Sequence, residues 1–275
     1  MKRWVTILLP ILLLVLVLAV SGWSWVANLE RKLLTTGPNG PRTPASLGLS
    51  YRHLRIASND HVLDGYAVPA APRCRPQVAL LIFHGVGETI SQWVPTQRLL
   101  YDHCVGSMTF DYSGEGDSTG TPSPQTFDSD APAVYRAFTQ NFASANRRCV
   151  LGFSMGDGIM LSEIVQFSPT PDCVVLGSAF TSGRASAHYG ANVPWILLDL
   201  FPDPWNNVRN VANVHSPLLL VHSDADRANF LWMGEAVFRA APEPKRLAVL
   251  HGLPHNAALH ASTVWWQPVL EFLHS

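Results

Sequence analysis

Six short apolar runs constrain what this chain can fold into. They alternate along the sequence with helical patterns, and turn-forming residues separate them. A strand that is apolar on both faces is typical of a parallel sheet covered by helices on both sides. The sequence therefore predicts an α/β fold with a mostly parallel central sheet. The runs are Gln77–Phe83, Ser107–Asp111, Cys149–Phe153, Val174–Gly177, Leu218–His222 and Leu247–Leu250.

The N-terminal region has the composition of a membrane anchor. Residues 4–27 form an uncharged apolar run that follows Lys2 and Arg3. This run is long enough to cross a hydrocarbon core of about 30 Å. We therefore expect residues 1–34 to be an N-terminal transmembrane anchor. A cleaved signal peptide is the alternative, because residues 19–21, Ala-Val-Ser, offer a small-x-small cleavage site.

The rest of the chain predicts one large domain after a linker. The stretch at 35–50 is rich in Pro, Gly and Thr, which is typical of a linker, so the folded domain is expected at 51–275. It begins with "YRHLRIASNDHVLDGYAVPA", which predicts a hairpin of two strands. The segment at about 178–216 is too long for a plain connection and carries many large apolar residues. It predicts a small cap, with an ordinary crossover helix as the alternative.

Charge and motif spacing argue against several classes of partner. The formal net charge is -1 and no dense Lys/Arg run is present, so we expect no nucleic acid. Gly252 and Pro254 interrupt any helix that would place His251 and His255 on one face, and no H-E-x-x-H occurs. We expect neither a metal nor a cofactor. The expected partner is a small-molecule or lipid-like substrate, and the oligomeric state stays open.

The four cysteines stand at or just before the start of strand-like runs, without metal-site spacing. An even number of cysteines at the starts of strands suggests disulfides and an oxidising compartment. Four buried reduced thiols are the alternative. Together with the expected anchor, the pattern favours a domain on the extracytoplasmic side of a membrane. The cysteines are Cys74, Cys104, Cys149 and Cys173.

A serine lies between two glycines where a strand-like run gives way to a helical pattern. Residues 152–156 read Gly-Phe-Ser-Met-Gly, the G-x-S-x-G form. The glycines leave room for a sharp turn that presents the Ser154 hydroxyl at the tip of the strand. The N-terminus of the following helix favours negative charge at the same place. This context predicts a nucleophilic serine.

A serine hydroxyl is a weak nucleophile and needs a base, which in turn needs an acid to orient it. Two later strand-like runs end in loops that supply both kinds of residue. The first loop offers Asp224 and Asp226, and the second offers His251 and His255. The order serine, acid, histidine fits this strand–turn–helix architecture. The residues alone leave open which acid and which histidine take part.

Stabilisation of an oxyanion requires two backbone amides, one directly after the nucleophile and one after an early strand. Met155 follows Ser154 and supplies the first. The second comes from the loop that follows the run ending at Phe83, where we expect the Val86 amide to face the site.

Four stretches make the chain resemble the α/β-hydrolase family, particularly a membrane-anchored subgroup that includes acyl-protein thioesterases and lysophospholipid lipases. The resemblance runs from about Tyr51 to the C-terminus. In such enzymes the acid stands four residues after the position of His222, and the histidine precedes Asn or Asp in a G-x-x-H-[ND] stretch. The resemblance therefore implies Asp226 and His255. The stretches are "FHGVGE", "FDYSGEGDSTGTP", "GFSMGDG" and "HSDADR…HGLPHN".

The resemblance implies a serine hydrolase that cleaves a carboxylic ester or thioester through an acyl-enzyme intermediate. A serine peptidase with the same triad is one alternative, and a non-catalytic binding protein on a degenerate hydrolase fold is another. The order of strands in the family implies the disulfides Cys74–Cys104 and Cys149–Cys173 for a domain outside the cytoplasm. We expect a membrane-anchored protein, or a secreted one if the leader is cleaved.

Three features depart from the subgroup's pattern. Asp157 stands where a third glycine is usual, and its charge is expected near the oxyanion. Ser113 occupies a position where arginine is common. "DRANF", residues 226–230, replaces a Val-Ile-Pro-like turn after the acid.

Overall fold

The computed structural model of the chain describes residue 31 and the ranges 34–75, 77–198 and 203–275. The predicted transmembrane anchor at 4–27 lies outside them. Within the described ranges, no helix has the length and apolar character needed to span a bilayer. The chain divides into two compact units, residues 1–35 and 36–275, and the elements below belong to the second.

One eight-stranded sheet forms the centre of this unit, in the spatial order β1-β2-β4-β3-β5-β6-β7-β8. β1 pairs antiparallel with β2 and β2 with β4, whereas all later neighbours pair in parallel. The predicted hairpin and mostly parallel sheet are confirmed. In chain order the strands are β1 (Arg52–Ser58), β2 (His61–Val68), β3 (Val78–Phe83), β4 (Val105–Phe110), β5 (Arg147–Phe153), β6 (Cys173–Gly177), β7 (Leu218–Ser223) and β8 (Lys245–Leu250).

Helices cover both faces of the sheet, which is why the central strands are apolar throughout. On one face α1 and α8 bury Trp93, Trp265 and Trp266 against strand side chains, and α2 and α3 pack on the other face. The helices are α1 (Ile90–Asp102), α2 (Pro124–Asn141), α3 (Met155–Glu163), α4 (Gly183–Ala191), α5 (Trp195–Leu198), α6 (Asn207–Asn210), α7 (Leu231–Ala240) and α8 (Thr263–Leu273). Short 3₁₀ turns lie at Pro44–Leu47, Ile164–Gln166, Val211–Asn213 and His255–Ala257.

Both implied disulfides are present. Cys74 and Cys104 lie just before the neighbouring strands β3 and β4 and are bridged. Cys149 and Cys173 are direct partners in the register of β5 and β6 and are also bridged. Each bridge therefore joins strands that are already neighbours in the sheet.

Part of the expected linker at 35–50 packs on the domain. The Asn39 side chain donates a hydrogen bond of 2.6 Å to the Asp111 carboxylate, and the Gly40 amide donates one of 2.9 Å to Ser91 Oγ. Leu49 is buried. The stretch has the composition of a linker, but Asn39 and Gly40 are held on the domain by these hydrogen bonds to buried partners.

The hairpin of β1 and β2 is tied to α2 through the buried Asp130 carboxylate. His61 Nε2 lies 2.7 Å from Asp130 Oδ1, and Ser58 Oγ donates to the same oxygen at 2.5 Å. Ser113, which stands where the subgroup often has arginine, donates from Oγ to Asp130 Oδ2 and lies 2.9 Å from His61 Nε2. The other ring nitrogen of His61 lies 3.1 Å from Asp60 Oδ1.

These contacts predict that stability depends on the protonation of His61. Burial lowers the pKa of His61, but the hydrogen bonds to Asp60 and Asp130 outweigh burial and raise it above its ordinary value. Folding therefore favours the protonated form, and its contribution to stability is present below the unfolded pKa of about 6.5 and is lost as pH rises through the higher folded pKa.

The measurement is the melting temperature from about pH 5.5 to about pH 8.5, across the ordinary pKa of histidine. The wild-type advantage over His61→Gln should shrink as the pH rises. Other histidines contribute equally to both proteins, so the difference between them isolates His61. A difference that does not change with pH contradicts the prediction.

Candidate active site

Ser154 occupies the sharp turn between β5 and α3. Its φ of 53° and ψ of -117° lie in a backbone region that residues other than glycine rarely adopt. Its amide donates to the Gly177 carbonyl at 2.9 Å. A Cβ on Gly152 would lie 2.6 Å from the Asp157 Cα, and one on Gly156 would lie 2.0 Å from the Phe83 carbonyl oxygen. The turn therefore needs glycine at both positions, as the sequence predicted.

Both candidate acid–histidine pairs form, but in different surroundings. His255 Nδ1 lies 2.7 Å from Asp226 Oδ2, and His251 Nδ1 lies 2.7 Å from Asp224 Oδ2. The Asp226 side chain is fully buried and that of His255 is 25% exposed, whereas His251 is 84% exposed. The His255 ring packs on Phe153, the residue before Ser154, with 5.3 Å between centroids. The structure therefore packs the Asp226–His255 pair against the residue that precedes the serine, whereas the Asp224–His251 pair lies at the surface.

The Asp226 carboxylate is held in its charged form. Burial would raise its pKa, but the hydrogen bond and charge of His255 outweigh burial and lower the pKa below its ordinary value. Its Oδ1 also accepts the amides of Ala228 and Asn229, each at 2.9 Å. Asp226 can therefore hold the proton of His255 on Nδ1, which leaves Nε2 free to act as a base.

The loop that contains Val86 is fixed by the buried Glu88. Glu88 Oε2 accepts the Gly85 amide at 2.8 Å and the Trp93 indole N–H at 2.9 Å. The Gly85 N–H is thus already engaged, and Val86 is the next residue whose amide can serve the site. Glu88 had no predicted role, although it ends the "FHGVGE" stretch.

The two loops that carry the candidate oxyanion donors are in direct contact. Gly156 packs against the carbonyl oxygens of Phe83 and His84, so the start of α3 touches the end of β3. Met155, which precedes Gly156, is thereby brought next to the loop of Val86. The amides of both predicted donors thus belong to neighbouring segments.

His84 supports this loop as a neutral side chain. It is fully buried, and its Nδ1 donates to the Gly85 carbonyl at 2.9 Å. Burial lowers its pKa to about 4. The Tyr112 hydroxyl donates to the His84 carbonyl at 2.9 Å, which holds the backbone from the other side.

Asp157, whose charge was expected near the oxyanion, is a buried residue. The side chain is completely buried at the start of α3, against Gly152. Burial raises the pKa of the carboxyl well above its ordinary value and so favours the neutral form. Burial therefore works against the charge that the sequence led us to expect near the oxyanion.

Asn229 is a residue at the site to which the sequence assigned no role. Its Nδ2 lies 3.4 Å from Ser154 Oγ and 2.8 Å from the Ser178 carbonyl oxygen. The only signal in the sequence was that "DRANF" departs from the subgroup's usual turn after the acid.

The described ranges contain no group of three or more His, Cys, Asp or Glu side chains arranged to hold a metal ion.

No family model matches the chain. An uncharacterised protein of Mycobacterium tuberculosis is 28% identical over 253 residues, which cover 90% of this chain and 88% of that protein. The lysophosphatidylserine lipase ABHD12 of Danio rerio is 28% identical over 157 residues, or 51% of this chain and only 40% of that lipase.

Among solved structures, the Pyrococcus furiosus esterase Pf2001 superposes with a TM-score of 0.69 at 18% identity, covering 87% of this chain and 98% of the esterase. The chain has the α/β-hydrolase fold. The comparisons confirm the predicted resemblance to α/β-hydrolases and lysophospholipid lipases, and with it the prediction of a hydrolase.

Proposed function

We propose that this α/β-hydrolase is a serine hydrolase that cleaves a carboxylic ester or thioester through an acyl-enzyme intermediate. The observation that carries the proposal is the 2.7 Å bond between His255 and Asp226, with the His255 ring packed beside the strained turn of Ser154. A serine, an imidazole and a buried carboxylate on three strand-end loops are the components of nucleophilic acyl transfer.

In the proposed mechanism, Ser154 Oγ attacks the substrate carbonyl while His255 Nε2 takes the hydroxyl proton. Asp226 orients His255 and stabilises its charged form. The amides of Val86 and Met155 donate to the oxyanion, and the N-terminus of α3 adds a favourable field. The intermediate expels an alcohol or thiol, which takes its proton from His255. Water, activated by the same histidine, then releases the acid and restores Ser154.

The favoured substrate is a lipid-like ester. Between β6 and β7 the chain forms α4, α5 and α6, which we propose act as the small cap. This region exposes Tyr189 and Trp195, and the Tyr189 ring lies 5.2 Å from the half-exposed Trp232. Tyr189 also contacts Phe230 in the loop after Asp226. An aromatic surface beside the site suits an apolar acyl chain, and one relative is named as a lysophosphatidylserine lipase.

We further propose that the domain works outside the cytoplasm, held to a membrane by the apolar run at 4–27. The two disulfides support an oxidising compartment. Fractionation of cells that express the full chain, followed by protease protection, tests this location. Release of the protein without its N-terminal region would favour the secreted form.

The function is tested by turnover of a matched substrate panel. It comprises p-nitrophenyl esters of increasing acyl length, an acyl thioester, a lysophospholipid and a peptide p-nitroanilide. We expect turnover of esters or thioesters that is lost in Ser154→Ala. Comparable turnover of the anilide would favour a peptidase. A folded protein that turns over nothing in the panel would favour a binding role.

A further inference from the structure

Asn229 is fixed through its backbone to the loop of the proposed acid. It is 1% exposed and lies three residues after Asp226. Its amide donates to Asp226 Oδ1 at 2.9 Å, and its carbonyl oxygen lies 2.9 Å from His222 Nε2. Because both polar groups of its main chain are engaged, the side chain leaves the loop in one fixed direction.

The orientation of the Asn229 carboxamide follows from its partners. The Ser178 carbonyl oxygen, 2.8 Å away, can only accept, so the amide atom facing it is the nitrogen. The amide oxygen then faces Ser186 Oγ of α4, which donates to it at 2.8 Å. The second hydrogen of the amide nitrogen is left for Ser154 Oγ at 3.4 Å.

This contact determines where the hydroxyl proton of Ser154 can go. An amide N–H only donates, so Ser154 Oγ accepts from Asn229 and its own proton needs a different acceptor. His255 binds Asp226 through Nδ1, which leaves Nε2 free to accept, and its ring packs on Phe153, the residue before Ser154. We propose that Asn229 is a positioning residue that fixes Ser154 Oγ and directs the hydroxyl proton to His255. The inference rests on the proposed function.

The first test compares Asn229→Ala with Ser186→Ala in the full chain, using p-nitrophenyl butyrate. Ser186→Ala is the matched control, since it removes a hydrogen bond from the same carboxamide but leaves the contact with Ser154. We expect kcat to fall by about 10-fold to 100-fold in Asn229→Ala with KM changed by less than about 3-fold, and little change in the control. A folded Asn229→Ala with wild-type kcat, or an equal loss in Ser186→Ala, overturns the inference.

A second variant, Asn229→Asp, keeps the volume of the side chain and reverses the direction of the hydrogen bond. The ionised carboxylate can only accept, so it competes with His255 for the Ser154 proton. The deficit in kcat relative to wild type should deepen as pH rises through the pKa of the new carboxyl. A deficit that is the same at every pH contradicts the inference.

Fluorophosphonate labelling separates this inference from the proposed function. If Ser154 of the wild type reacts and Asn229→Ala reacts at the same rate, the positioning role is wrong and the hydrolase proposal survives. If the folded wild type does not react at all, the proposed function itself fails.

Discussion

Alanine in place of Ser154 or His255 is expected to lower kcat by on the order of 10⁴-fold to 10⁶-fold without unfolding the domain. The reason is that the proposed nucleophile and its base act as one unit, so that losing either removes the covalent route. The hydrolysis of whichever panel ester is turned over fastest by the wild type measures the effect. The double variant should be little worse than either single one.

His251→Ala is the matched control for His255→Ala. Both histidines bind an aspartate through Nδ1 at 2.7 Å, and they lie only four residues apart. His251 is 84% exposed and its partner Asp224 is not at the serine, so this variant should retain kcat within about 2-fold, as expected of an exposed pair. Equal losses in the two variants would contradict the role of His255 as the base.

Gly156→Ala is expected to destabilise the protein by at least about 3 kcal/mol, or to prevent folding. The new Cβ would lie 2.0 Å from the Phe83 carbonyl oxygen, a backbone atom at the end of a buried strand. Relieving this clash requires α3 to move away from β3, which also separates Met155 from the loop of Val86. Urea unfolding followed by circular dichroism measures the loss.

Gly37→Ala is the control for this substitution. Nothing lies within 4 Å of a Cβ built on Gly37. Its free energy of unfolding should therefore stay within about 0.5 kcal/mol of the wild type, as for other surface substitutions. If Gly156→Ala is as stable as the control, the close packing of the turn against β3 is not needed for folding.

The fold was largely predictable because the information for it is local. Continuous apolar runs such as that of β5 require burial on both faces. The glycines on either side of Ser154 predict the sharp turn at the end of that strand. The choice of Asp226 over Asp224 and of His255 over His251 could not be made from the residues alone. It came from a family resemblance, and the structure adds the burial and the contact with Phe153 that separate the two pairs.

The features that the sequence did not reveal depend on contacts between distant segments. Asn229 touches Ser154 only because β5, β6 and β7 end side by side. Asp157 was expected to be charged, since a helix N-terminus favours an anion. Its complete burial, which only the packed structure shows, raises the pKa of its carboxyl and favours the neutral form.

Mapping of a fluorophosphonate adduct on the purified full chain tests whether Ser154 is the nucleophile. We expect a single adduct on Ser154 in the wild type and in His251→Ala. The adduct should be absent in Ser154→Ala and form far more slowly in His255→Ala. If the folded wild-type protein takes up no probe, or carries it on another residue, Ser154 is not the nucleophile.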